Sequence, residues 1–174
     1  MYDGSGIMDA PVLAPAGWNC AASMGADGTY GIAVFSPGTP NTLNSSGPAH
    51  GDVQTVISAG SPVCSGCSDD IACSVFSYAA LHNPSTAPCP LNSPASESVA
   101  YLQGSANTRV GMARIYDPAN VAGSLPQSGG TNPATGIISY AGGITSAGVL
   151  SCVLPSSASD LCTEVVNEYL QRKL

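Results

Sequence analysis

The sequence predicts an α+β fold, an antiparallel sheet of short strands with two helices and disulfide cross-links. Three observations carry this expectation. Short runs rich in Val, Ile and Tyr recur along the chain, each bounded by Gly, Pro, Asn or Ser. Two stretches carry apolar residues at helical spacing, about 69–81 and 158–172. Seven cysteines stand at positions 20, 64, 67, 73, 89, 152 and 162. Strands and helices in that mixed order read as α+β. A mainly β sandwich is the alternative that the strand count leaves open.

The strand candidates are 29–35, 53–58, 98–103, 109–116, 137–141 and 148–154. Asp27-Gly28 is a hairpin-type turn signal, with "WNCAASMG" before it as the partner strand. "IMDAPVLA" reads as an edge strand, because Pro11 lacks the donor that a central strand needs. In the first helix Ser68 is the expected N-cap and Asn83-Pro84 the stop, with Ile71, Val75, Tyr78 and Ala79 facing the core. In the second, Leu161, Val165 and Tyr169, together with Cys162, Val166 and Leu170, form one apolar stripe. Ser157 and Asp160 fit a capping pattern at its start, and Arg172 and Lys173 sit where the helix dipole favours cations. Both helices are expected on one face of the sheet. The whole chain, 1–174, reads as a single secreted-type domain, with turn-rich surface loops at 36–52, 83–98 and 117–136.

Composition excludes several functions. Charged residues are 9% of the chain and the net charge is -7, with a single lysine and three arginines. So few cations cannot neutralise a phosphate backbone, which argues against nucleic acid as a partner. No apolar run is long enough for a membrane-spanning helix. The N-terminus lacks the basic start and apolar stretch of a signal peptide, while the cysteines point to an oxidising compartment; a leader removed from this sequence is therefore expected.

The cysteines admit three readings. Cys64-x2-Cys67 would be the first knuckle of a zinc ribbon, but Cys73 and Cys89 are too far apart to form the second. As a redox pair, Cys64-Ser-Gly-Cys67 stands before a helix expected to begin after Cys67, and Asp69 and Asp70 follow at once. That negative charge raises a thiol pKa, the wrong direction for a nucleophile. Staples remain the favoured reading. Cys152–Cys162 is the favoured pair, and Cys64, Cys67, Cys73 and Cys89 are expected to supply the other bridges around the first helix. Cys20 is either a partner of one of these or a leftover thiol. If free, it is buried beside Trp18 or links to another chain. No metal or cofactor is expected.

Catalytic candidates are few. Ser46, His50 and Asp52 are neighbours in one loop, a placement that seldom converges into a hydrolase site, and no G-x-S-x-G elbow exists. His82 follows the first helix, where a cation suits the dipole. Glu97, the one glutamate outside the last helix, is expected to pair with Arg109 or Arg114 on a neighbouring strand; no carboxylate partner for catalysis is evident. The tyrosines do not cluster in sequence, so core packing is the default for them.

With these residues placed, the chain resembles secreted actinobacterial domains of unknown function. The matching stretches are "APAGWNCAASMGADGTYGIAVF", "CSGCSDDIACSVF", the Pro-Cys-Pro before "ASESV", "SGGTNPATGIISY" and "SCVLPSSASDLCTEVVNEYL". The resemblance implies export and disulfides and supplies no activity. The expected function is an extracellular or cell-envelope module with a non-catalytic binding or structural role, its partner a second copy or an envelope component. A small secreted hydrolase using Ser46, His50 or Glu97 is the alternative.

Overall fold

The computed structural model describes residues 12–24, 30–39, 53–59, 67–82, 89, 94–142 and 147–173. Its seven strands form one antiparallel sheet. They are β1 (Asn19–Met24), β2 (Tyr30–Phe35), β3 (Val53–Ala59), β4 (Ser98–Gln103), β5 (Val110–Asp117), β6 (Ala134–Ala141) and β7 (Ala147–Val153). The order across the sheet is β1-β2-β3-β7-β6-β5-β4. Two meanders, β1 to β3 and β4 to β7, therefore meet where β3 pairs with β7, Val56 opposite Leu150. Between them in sequence come two short helices, α1 (Cys67–Ala72) and α2 (Ser77–His82), and the chain closes with α3 (Ser159–Lys173). The fold is α+β, antiparallel, with short strands and disulfides. The segment 7–14 that reads as an edge strand is not one at 12–14, and its earlier part and the Asp27-Gly28 turn lie outside the described residues.

The helices do not share a face. Ala113, Ile115, Ile138, Tyr140 and Val149 pack with Phe76 and Ala79 of the α1–α2 segment. The alternate residues Met112, Ile137 and Leu150 pack with Val165, Val166 and Tyr169 of α3. Strand side chains alternate between faces, so the sheet is covered by α1 and α2 on one side and by α3 on the other. The expectation of both helices on one face is corrected. The reason is visible in β7, whose seven residues are all buried. A strand buried throughout needs cover on both faces.

The apolar stretch 69–81 forms two helices instead of one. Cys73 and Phe76 still donate to the carbonyls of Asp69 and Ala72, at 2.8 Å each, but the Ser77 amide turns away to the Ala106 carbonyl at 2.8 Å. The Ser77 hydroxyl bonds the same carbonyl at 3.0 Å and also Asn107. The tight β4–β5 turn thus takes the donor that would continue the helix, and the break lets Phe76 drop fully into the core. Phe76 lies over Gly111, where any Cβ would strike its ring. It stacks with Tyr140 at a centroid distance of 5.7 Å and meets Tyr101 edge-on at 5.8 Å, while Tyr78 lies 6.5 Å from Tyr140. Tyrosines scattered in sequence do cluster in space, and their role is packing.

The α3 stripe packs as its spacing predicts, with Cys162, Val165, Val166 and Tyr169 buried. A 3-10 turn, Ser156–Ala158, precedes the helix, so Ser157 lies outside the α-helical start. On the sheet side of α3, Arg114 donates to Asn167 at 2.8 Å. Among the described residues two disulfides fix the layers. Cys152–Cys162 joins β7 to the first turn of α3 and is the pair the sequence favours; Cys73–Cys89 ties the residue after α1 to the connection leading to β4. The side chains of Cys64 and Cys67 lie outside the description.

Replacing Phe76 by Ala is expected to cost about 3–5 kcal/mol, because the ring vacates a site closed on three sides by aromatics and backbone. Urea unfolding with an unchanged slope checks this. The double change Cys152→Ala and Cys162→Ala is expected to cost about 2–3 kcal/mol, from the entropy regained by a loop of ten residues' separation in the unfolded chain. Thermal unfolding of the double variant beside the parent measures it.

Candidate functional site

The face of the sheet that carries α1 also carries the connection from β5 to β6. Its sequence, residues 118–133, is Pro-, Gly- and Ser-rich and reads as a surface loop. It folds instead as a plug. Asn120 and Gln127 adopt left-handed backbone with φ of 62° and 63°, and Gly129 does so at 90°. The Asn120 amide closes the base on the Gly130 carbonyl at 2.7 Å, and the Ser128 hydroxyl accepts from the Gly123 amide at 2.9 Å. Leu125 is buried and sits where Gly136 leaves room, since a Cβ on Gly136 would meet both its side chain and the Leu150 carbonyl. From below, the fully buried Ser151 donates to the Pro126 carbonyl at 2.7 Å.

Beneath this plug lie two acidic side chains. Asp117, the last residue of β5, is fully buried. Glu97 immediately precedes β4, and the pairing of Ser98 with Tyr116 brings it beside Asp117. Glu97 Oε2 accepts from the Ser124 amide at 2.6 Å, and its Oε1 accepts from the Ser124 hydroxyl at 3.0 Å. Asp117 Oδ2 accepts from the Leu125 amide at 3.0 Å. Asp117 Oδ1 is a buried oxygen with no hydrogen-bond partner, and the Glu97 carboxyl lies beside it; contact between two carboxyl groups becomes a hydrogen bond when one of them carries a proton. Gly123 closes over the pair: a Cβ there would collide with the Asp117 carboxyl and come within 2.6 Å of Glu97 Oε2.

The consequences for charge follow. Burial, with Glu97 beside it, raises the Asp117 pKa to about 7, although the Leu125 amide and the Ser128 hydroxyl pull it down. Tyr101 is pushed above its ordinary value by burial and, secondly, by the Glu97 charge. Tyr140 is likewise raised, first by burial and then by donating to Asp69 at 2.5 Å.

Next to the plug opens a cleft of about 320 Å³. One wall is Ser124, Leu125 and Pro126; the other is α1 and the residues after it, with Ile71 and Ser74, over a floor at Val149. Ser124 belongs to both features, lining the cleft while holding Glu97.

The expected Glu97 ion pair is not formed with either arginine. Arg109 stands at the other end of β5 and donates to the Gly142 carbonyl at 2.9 Å, while Arg114 serves the opposite face through Asn167. Glu97 does have a carboxyl neighbour, Asp117, which sequence reasoning passed over as a turn residue before Pro118. The period-two pattern of β5 could have flagged it, because positions 111, 113, 115 and 117 point to one buried face. Ser46, His50 and Asp52 lie outside the described residues. His82 caps α2 by bonding the Tyr78 carbonyl at 2.8 Å and stacks on the Tyr78 ring at 3.9 Å.

Cys20 is free and exposed on β1, an edge strand. Burial beside Trp18 is therefore corrected: Trp18 packs instead against Cys152, Leu154 and Cys162. Helix α1 begins at Cys67, earlier than expected, with Asp69 and Asp70 in its first turn. Among the described residues no group of three or more His, Cys, Asp or Glu side chains could hold a metal ion, and no helix is long and apolar enough to cross a membrane.

The fold and its cleft define a disulfide-bonded α+β domain with two adjacent carboxyl groups beneath one wall of that cleft. Comparison with protein-family models, curated proteins and solved structures finds no match for this chain.

Alkylation of the native protein under non-reducing conditions is expected to modify Cys20 and to leave Cys73, Cys89, Cys152 and Cys162 untouched. Peptide mapping by mass spectrometry checks the assignment; protection of Cys20 would contradict its exposure.

Proposed function

We propose that this chain is an extracellular or cell-envelope module with a non-catalytic role, binding a small, largely apolar ligand in the cleft between α1 and residues 123–126. The observation that carries this reading is the way the polar groups beside the cleft are used. The amides of Ser124 and Leu125, which could stabilise an oxyanion, donate inward to Glu97 and Asp117. What remains along the cleft is chiefly apolar, from Ile71, Leu125, Pro126 and Val149, with Asp70 as its charged member. The net charge of -7 and the acidic pair behind the wall select against anionic ligands. The disulfides support an oxidising location. On the side of partners, exposed Cys20 on an edge strand supports self-association or docking to another envelope component.

One observation favours a second reading. The chain from the Ser124 hydroxyl to Glu97 to Asp117 has the form of a nucleophile, a base and an orienting acid. A hydrolase using it would lose activity on Ser124→Ala, whereas a binding module has no such activity to lose.

The binding reading is tested by a fragment screen followed by NMR. Neutral apolar fragments are expected to shift the methyl signals of Leu125 and Val149, and Ser74→Trp, which fills the cleft, is expected to weaken them at least about tenfold, the equivalent of about 1.4 kcal/mol. Shifts that persist unchanged in Ser74→Trp would place the binding elsewhere.

A further inference from the structure

We propose that Glu97 and Asp117 form a proton-held clamp: one proton shared between the buried Asp117 carboxyl and the half-buried Glu97 carboxyl holds residues 123–128 down on the sheet, and release of that proton to solvent frees this wall of the cleft. The inference deepens the binding reading by giving the cleft a regulator. The clamp itself is a property of the chain alone and can be tested without any ligand.

Asp117 is fully buried, and its Oδ1 faces no donor unless one carboxyl of the pair is protonated. Gly123 packs against the pair so closely that a Cβ there would collide with both acids. The remaining carboxyl oxygens are spent on the plug, with Glu97 holding Ser124 through two hydrogen bonds and Asp117 holding the Leu125 amide. The plug is thus fastened to the sheet by the same two groups that repel each other once both are charged.

The surroundings offer no compensating charge. From β4 the neighbours are Glu97 and Tyr101, the latter raised in pKa by the Glu97 charge. Residues 118–133 contain no charged side chain at all. Across the cleft α1 presents Asp69 and Asp70, of which Asp69 accepts from Tyr140. The side chain of Arg114 serves the far face, and Arg109 the far end of β5. Among the described residues only Glu97 acts on Asp117 as a charge.

The direction of the effect is fixed by linkage. Asp117 binds its proton up to about pH 7 in the closed state, against an ordinary value of 3.8 when exposed. Closure is therefore fully supported below about pH 4, weakens as the pH rises from about 4 to about 7, and is insensitive above that.

Hydrogen exchange at the Ser124 and Leu125 amides tests the clamp on the intact protein. After correction for intrinsic base catalysis, the opening constant is expected to rise by up to about tenfold per pH unit between pH 5 and 7 and to level off above. Asp117→Asn, whose amide donates to Glu97 without titrating, is expected to abolish that slope. Glu97→Gln, which donates to Asp117 in the same way, is the second variant should the first not fold. An opening constant in the parent protein that does not change between pH 5 and 7 would overturn the clamp, as would a full slope retained in the folded variants. Fragment binding that fails while the exchange slope holds would sink the binding reading alone.

Discussion

Strand β7 is buried along its whole length and on both faces, and most of the architecture answers that condition. Seven consecutive residues with no access to water must be covered above by α1 and the plug and below by α3. Pairing with β3 on one edge and β6 on the other satisfies its backbone and joins the two meanders. The small residues Ala147, Gly148 and Ser151 allow this crowding, and Ser151 escapes the penalty of a buried hydroxyl by holding the Pro126 carbonyl. Cys152, on the same strand, then anchors the start of α3 covalently.

The α1–α2 face is the more constrained of the two. There the Phe76 ring, the aromatic cluster around it and the Leu125 plug share one surface, and each needs a glycine opposite to approach the sheet, Gly111 under Phe76 and Gly136 under Leu125. Close approach of the plug brings backbone amides onto Glu97 and Asp117, and the full burial of Asp117 follows from it. A polar pair in such a place specifies the position of the plug, because the Ser124 and Leu125 amides and the Ser124 hydroxyl find their acceptors there. Stability and the shape of the cleft wall are thereby tied to the same two side chains.

Legibility from sequence varied with how local the determining physics is. The α3 stripe from Leu161 to Leu170 and the capture of Cys152 by Cys162 depend on spacing and on neighbours ten residues away, and both could be read directly. The bounds of β4, 98–103, also follow from composition and flanking turn residues. The stretch 69–81 was legible only as helix-forming. Its interruption depends on Ser77 meeting Ala106, 29 residues distant. Residues 118–133 carry every mark of an exposed loop, and nothing in their composition announces that Leu125 is buried.

The sequence by itself determined the class of fold, the low-charge surface and the cross-linking by cysteines, because these rest on periodicity, composition and short separations. Tertiary structure alone decided which face each helix covers, that Tyr78, Tyr101 and Tyr140 gather around Phe76, and that Glu97 faces Asp117 instead of Arg109 or Arg114. The reason is physical. A strand's alternation says that two faces exist but not what will cover each. The proton shared by Glu97 and Asp117 arises only when two acids twenty positions apart are brought together and one of them, Asp117, is closed off from water.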